Sequence, residues 1–213
     1  MTRILIRPNT SDYYVWQENR HGQYTKGMVT RSSDTWLDIG AHIGLAALHI
    51  APLVGTVYCY EPAPDNWALL ESNVSGVPNI HTHNAAVVGN DDQTRPFYLN
   101  TGSHKASHSL LVKRGRLEVQ VPCVNINTIL RETQATSLKL DCEGAELEIL
   151  YALEPWAQVE QLSFEYHFNM LRDHDHSQYE ALLAHLEAHG LAVTANRNRN
   201  RAWCAMVKAR RLP

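Results

Sequence analysis

The run Asp38-Ile-Gly-Ala-His-Ile-Gly44 limits the possible folds of this chain more than any other stretch, because of what flanks it. Thr35–Ile39 reads as a buried strand, and Ile43–Leu53 is an apolar run of helical length, stopped near Pro52 and Gly55. A strand that turns through two glycines into a helix opens a βα unit. Such units build a largely parallel sheet with ligands at the carboxyl edge of its strands. Gly40 and Gly44 give the turn its freedom and allow the backbone to approach a ligand closely.

The alternation continues downstream. Thr56–Tyr60 predicts a strand ending at Glu61-Pro62, Pro64–Val74 a helix with Trp67, Leu70 and Val74 on one face, and Asn79–Ala86 a third strand. Asp91–Val121 breaks the rhythm. Strand-like pieces at Pro96–Leu99, Ser109–Val112 and Leu117–Val121 surround a polar loop, Asn100–Ser107, expected to lie over an acceptor pocket. Then follow a short helix near Thr128–Thr133, a strand at Ser137–Leu140, a helix near Glu146–Leu153 and a strand at Gln161–Tyr166. Ser177–His189 is a helix with Tyr179, Leu182, Leu183 and Leu186 on its apolar face and Gly190 as its left-handed stop. Leu191–Ala195 and Ala202–Val207 close as a hairpin.

The expected fold is a Rossmann-like α/β domain over residues 1–213, with 1–34 as an N-terminal extension and 91–122 as an insertion or lid. It has a central seven-stranded, mostly parallel sheet, a C-terminal antiparallel hairpin and a β insertion before the fourth core strand.

Composition narrows the partners. A formal net charge of −3 over 213 residues argues against a dedicated nucleic-acid binder. No apolar run reaches membrane-spanning length, and Ile4–Ile6 between arginines is too short for an export signal. Cys59, Cys123, Cys142 and Cys204 form no C-x-x-C pair and read as reduced thiols of a cytoplasmic protein. Nothing in the sequence addresses oligomeric state.

The glycine turn begins with an acid. A dinucleotide enzyme presents G-x-G-x-x-G to a pyrophosphate, which Asp38 would repel. An acid there suits the cationic amino-acid end of S-adenosylmethionine instead. Glu61, 23 residues later at the end of the next strand, is placed to accept hydrogen bonds from ribose hydroxyls.

Four runs in order, Trp36–Gly44, Tyr60-Glu-Pro-Ala-Pro-Asp-Asn66, Asn84-Ala-Ala86 and Leu138-Lys-Leu-Asp-Cys-Glu-Gly-Ala-Glu146 with Leu150, resemble the FkbM-type methyltransferase family. The resemblance implies a class I methyltransferase sheet and S-adenosylmethionine as donor. It implies, most often, transfer to a hydroxyl of a small molecule, sugar, glycan or secondary metabolite. It brings His42, Pro62, Asn66, Ala85, Ala86 and Asp141 into the cofactor-binding set beside Asp38, Gly40, Gly44 and Glu61. The chain departs from the family's usual Asn at His42, Asp at Asn127 and Gly at Tyr151.

A hydroxyl acceptor needs a base or a metal to become nucleophilic. Asp141 and Glu143 end one core strand, and Glu165 and His167 end the next, so these four are the catalytic candidates, with Asp141 the favoured base and His167 its backup. Clustered carboxylates raise one another's pKa. No metal is assigned, and an oxygen-rich divalent site is the less favoured alternative. Glu146 is expected to serve the start of its helix.

Two other functions compete. One is a binding module that keeps the cofactor and has lost turnover. The other is N-methylation of nucleic acid or protein, but Asp141-Cys-Glu-Gly144 lacks the proline and stacking aromatic common in DNA amino-methyltransferases. Weaker signals are His104 and His108 in the middle loop, the tract Asp173–His176 before a helix, the pair His185 and His189, and the alternating Asn196–Arg201. A lid role for the first pair, turn and capping chemistry for the tract, surface histidines and a solvated turn are the expectations.

Overall fold

The computed structural model describes residues 4–113, 115–168, 176–196 and 203–212. In chain order the elements are α1 (Asp12–Asn19), β1 (Thr35–Ile39), α2 (Leu45–Ile50), β2 (Thr56–Tyr60), α3 (Pro64–Val74), β3 (Ile80–His83), β4 (Ala86–Val88), β5 (Thr94–Leu99) and β6 (Leu117–Asn125). They continue as α4 (Ile126–Thr133), β7 (Ser137–Leu140), α5 (Glu146–Ala152), β8 (Gln161–His167), α6 (His176–Ala188), β9 (Leu191–Asn196) and β10 (Cys204–Arg211).

Seven strands form the main sheet in the order β3-β2-β1-β7-β8-β10-β9. The run from β3 to β8 is parallel, and β10 is antiparallel to both β8 and β9. The connections reverse direction between β1 and β7, which opens a crevice at their carboxyl ends. β7 and β8 are buried along their whole length, as central strands covered on both faces must be. Side chains of β1 alternate between the two layers. Leu37 and Ile39 belong to one core cluster with Ile126, Ile129, Leu150 and Leu182, whereas Trp36 belongs to another with Ala47, Ile50 and Leu70.

A second sheet, β4-β6-β5, forms the insertion, with β4 parallel and β5 antiparallel to β6. Asn79–Ala86, expected as one strand, is therefore two. Asn84 breaks it by donating its side-chain amide to the carbonyls of Glu61 at 2.8 Å and Pro62 at 3.2 Å, which turns the chain off the main sheet. Ser109–Val112, expected as a strand, contributes only a single bridge from Ser109 to Tyr98, because the Ser109 hydroxyl is engaged by the Glu143 carbonyl and the Leu111 amide. The helical run Ile43–Leu53 begins only after Gly44 and ends as a 3-10 turn, Ala51–Leu53, that contains Pro52. Gly190 closes α6 with φ +81°, as expected. Residues 173–175 of the Asp173 tract, 197–201 of the Asn/Arg turn, and Ala202 lie outside the described residues.

α1 had no sequence signal. Its buried residues are Asp12 and Asn19, both polar, so no apolar stripe marks it. It packs against α2 and carries the N-terminal segment across the carboxyl edge of the sheet.

Both turn glycines are required, for reasons of packing. A Cβ on Gly40 (φ +76°) would lie 1.9 Å from the Asp141 carbonyl oxygen, and one on Gly44 (φ +86°) 2.6 Å from Leu70. The missing side chain at Gly40 thus admits the end of β7, and the one at Gly44 admits α3. Gly40→Ala is expected to destabilise the fold by at least about 1–3 kcal/mol, the scale of left-handed strain in a residue with a Cβ. A melting temperature equal to that of the parent chain would contradict this.

Candidate functional site

Two clefts meet at the carboxyl edge. The narrow one holds about 600 Å³ of open space and runs from the β1 turn to the second sheet. The wide one holds about 1180 Å³ and opens beyond β7 and β8. Val15, Ala106, Asp141 and Glu143 line both, so the seam between the clefts is made by two acids, α1 and the middle loop.

The narrow cleft is built around Glu61, 5% exposed at the end of β2. Its carboxylate accepts the backbone N–H of His42 at 2.8 Å and of Ala63 at 2.9 Å, and the Asn66 amide at 3.4 Å. Burial raises its pKa, opposed by His42 and these hydrogen bonds. Val87, Phe97 and Leu110 supply apolar walls from the second sheet and the residues beside it. His108, expected as part of a lid, faces this cleft. Its Nδ1 accepts the Asn100 N–H at 2.9 Å, and burial pushes its pKa down to about 4. The ring is therefore neutral with its proton on Nε2, which has no hydrogen-bond partner among the described residues.

Of the expected cofactor residues, Gly40, His42, Glu61, Pro62, Asn66, Ala86 and Asp141 line this cleft. Asp38, Gly44 and Ala85 do not. Asp38 is fully buried on the Trp36 face of β1, and Lys139, opposite it on β7, sets its Nζ 2.8 Å from the carboxylate. The charge assigned to the cationic end of a donor is thus compensated inside the protein. Gly44 is occupied with α3, and Ala85 is buried in the turn between the two sheets. His42 stands in a network of its own, with Nε2 3.3 Å from Asp12 and 3.3 Å from Arg7, which also pairs with Asp12 at 2.9 Å.

At the floor of the wide cleft the structure brings together all four catalytic candidates. His167 is 2% exposed. Its Nε2 lies 3.7 Å from Asp141 Oδ1, 3.8 Å from Glu143 Oε1 and 3.8 Å from Glu165 Oε2. Its Nδ1 lies 3.0 Å from Glu146. Glu146 also accepts the N–H groups of Cys142 at 3.0 Å and Gly144 at 2.9 Å, so it serves the turn into α5, as expected. Burial opposes charge on His167, but the surrounding carboxylates prevail and raise its pKa well above the usual histidine value.

The acids differ among themselves. Asp141 Oδ2 accepts the Tyr24 hydroxyl at 2.7 Å, and Glu165 Oε1 accepts the Gln23 amide at 2.7 Å. Against the effect of burial, Lys139, His167 and Tyr24 hold the Asp141 carboxyl below its ordinary value. Burial pushes the Glu143 carboxyl up to about 8, helped by the neighbouring acids and opposed by His167. Glu143 also has a left-handed backbone, φ +53°, before Gly144 at φ +105°. Strain of this kind persists only where the surroundings enforce it.

The N-terminal contributors, Arg7, Asp12, Val15, Gln23 and Tyr24, escaped sequence reasoning, because no motif links them to distant partners: Arg7 meets His42 35 residues on, and Tyr24 and Gln23 meet Asp141 and Glu165 117 and 142 residues on. The middle loop does lie at the clefts. His104, Ala106 and Ser107 line the wide one. The loop is tied down by Ser11, whose N–H donates to the Ser103 carbonyl and whose hydroxyl accepts the Ala106 N–H, both at 2.9 Å. His185 and His189 join Trp156 in a ring cluster, with centroids of the two imidazoles 4.6 Å apart. All four cysteines are free, and no helix among the described residues is long and apolar enough to cross a membrane.

A family profile described as the methyltransferase FkbM domain matches residues 38–191. No curated protein sequence matches the chain. Among solved structures, the chain is similar to a methyltransferase FkbM from Methylobacillus flagellatus KT, with 14% identity and a TM-score of 0.57 over 95% of this chain and 48% of that one. It is similar to a precorrin-6y C5,15-methyltransferase from Geobacter metallireducens GS-15, with 10% identity and a TM-score of 0.55 over 97% and 93%. It is also similar to an rRNA methylase from Streptococcus thermophilus, with 10% identity and a TM-score of 0.53 over 99% and 100%. At these identities the likeness is one of fold.

Proposed function

The chain belongs to the FkbM methyltransferase family, and from that premise we propose that it moves the methyl group of S-adenosylmethionine to a hydroxyl oxygen of a small molecule or glycan. The observation that carries this reading is the seam. Two clefts, one fit for a nucleoside and one open to an acceptor, meet at the carboxylates of Asp141 and Glu143.

The narrow cleft fits the donor chemically. Val87, Phe97 and Leu110 suit the faces of a purine, Glu61 keeps one lone pair, on Oε2, for a ribose hydroxyl, and His108 Nε2–H, 3.8 Å from Asp65, offers a donor with no hydrogen-bond partner among the described residues. The donor supplies a methyl group on a positively charged sulfur. Everything else falls to the chain: alignment, exclusion of water and removal of one proton.

Glu143 is the base this geometry favours. Asp141 is engaged by Tyr24 and Glu165 by Gln23, whereas no hydrogen bond among the described residues involves the Glu143 side chain. As the acceptor oxygen forms its bond to the methyl carbon, its proton passes to Glu143. The carbon–sulfur bond breaks, and its electron pair stays on sulfur as a neutral thioether. Asp141, fixed by Tyr24, is a positioning residue in this scheme. The wide cleft carries Glu18, Asp141, Glu143 and Glu165 beside His104 and His167, with no lysine or arginine among its described lining residues. Such a lining offers a phosphate backbone no lysine or arginine counter-charge and favours a neutral acceptor over nucleic acid.

Calorimetry tests the donor. S-adenosylhomocysteine should bind and NAD should not; the opposite result overturns the reading. Release of S-adenosylhomocysteine against a panel of sugars, catechols and glycolipids, with RNA and a protein extract as separate arms, then tests the acceptor class.

A further inference from the structure

The two nitrogens of His167 are in different situations. Nδ1 lies 3.0 Å from Glu146, whose oxygens already accept two backbone N–H groups, so this nitrogen is the donor of the pair. Its proton is thereby fixed on Nδ1, and the ring is oriented. Nε2 points among Asp141 Oδ1, Glu143 Oε1 and Glu165 Oε2 at 3.7–3.8 Å, beyond hydrogen-bond reach, although the side chain is 2% exposed. The nearest acids are also held in place. Tyr24 donates to Asp141 Oδ2 and Gln23 to Glu165 Oε1, while Asp141 Oδ1 and Glu165 Oε2 are the oxygens nearest Nε2.

One ligand atom from each of Asp141, Glu165 and His167 lies within 4.8 Å of the others. A histidine whose far nitrogen is locked by a carboxylate, with its near nitrogen facing anchored carboxylate oxygens, is how proteins orient imidazole on a metal. The geometry points to a divalent-cation site formed by Asp141, Glu165 and His167, with Glu146 as the residue that orients His167. An imidazole ligand disfavours Ca²⁺, which takes oxygens, and two carboxylates disfavour soft cations. First-row ions such as Mn²⁺ and Zn²⁺ match the mixed set. All three ligands line the wide cleft, so the remaining coordination positions open toward the acceptor. If the methyl-transfer reading holds, the acceptor class is one with a second oxygen beside the reacting hydroxyl, able to chelate the cation. Only this last step depends on that reading.

The test is binding, on tag-free chain stripped with a chelator. Mn²⁺ is followed by its resonance signal and Zn²⁺ by calorimetry, with melting temperature and S-adenosylhomocysteine binding measured on every variant. One saturable equivalent is expected. Glu146→Gln should weaken the cation by about 10–100-fold, the usual effect of removing a partner that orients a ligand. Glu165→Gln should weaken it at least as much, and carries the test if Glu146→Gln fails to fold. No saturable binding of either ion at millimolar concentration, or unchanged affinity in a folded Glu165→Gln, overturns the site. Cation binding without S-adenosylhomocysteine binding keeps the site and removes the methyl-transfer reading; the reverse removes the site alone.

Discussion

Glu143→Gln should lower turnover by about 10²–10⁴-fold, the typical contribution of a general base. The amide has nearly the shape of the carboxylate, and among the described residues the side chain makes no hydrogen bond that the change would break, its contact being His167 at 3.8 Å. Melting temperature and affinity for S-adenosylhomocysteine should therefore stay close to those of the parent chain, and single-turnover kinetics on the true acceptor should show the loss in the methyl-transfer step. Near-normal turnover in a folded variant would mean that Glu143 is not the base and that alignment alone carries the reaction.

Glu61→Ala should weaken S-adenosylhomocysteine by about 1.5–3 kcal/mol, the value of hydrogen bonds to a charged group. It should also lower stability, because the N–H groups of His42 and Ala63 lose their acceptor. Glu61→Gln separates these effects. Its remaining oxygen can keep one backbone contact, while the charge that serves ribose hydroxyls is gone. Calorimetry on both variants decides the assignment: unchanged affinity in a folded Glu61→Gln would show that this carboxylate does not hold the ribose.

Much of the main sheet was legible because central parallel strands and their helices leave local signatures. Thr35–Ile39, Thr56–Tyr60, Pro64–Val74 and Ser137–Leu140 have the bounds the sequence implied, since a continuous apolar run or a one-sided helical stripe reports burial directly. The insertion was less legible. Asn84 ends a strand through hydrogen bonds to a neighbouring turn, a contact between segments more than twenty residues apart.

The site divides along the same line. Sequence by itself determined that acids end two successive core strands and that a glycine turn opens a βα unit, because strand ends and side-chain alternation follow from local pattern; the order of the strands was implied only by the family resemblance. Only the tertiary structure decided what each acid does. Lys139, one strand away, neutralises Asp38; Tyr24 and Gln23, from a segment without a motif, engage Asp141 and Glu165; and carboxylates from two strands and a helix start surround His167. The charge and free lone pairs of a buried group depend on whichever residues the fold brings within a few ångströms, and neither pattern nor spacing along the chain encodes that distance.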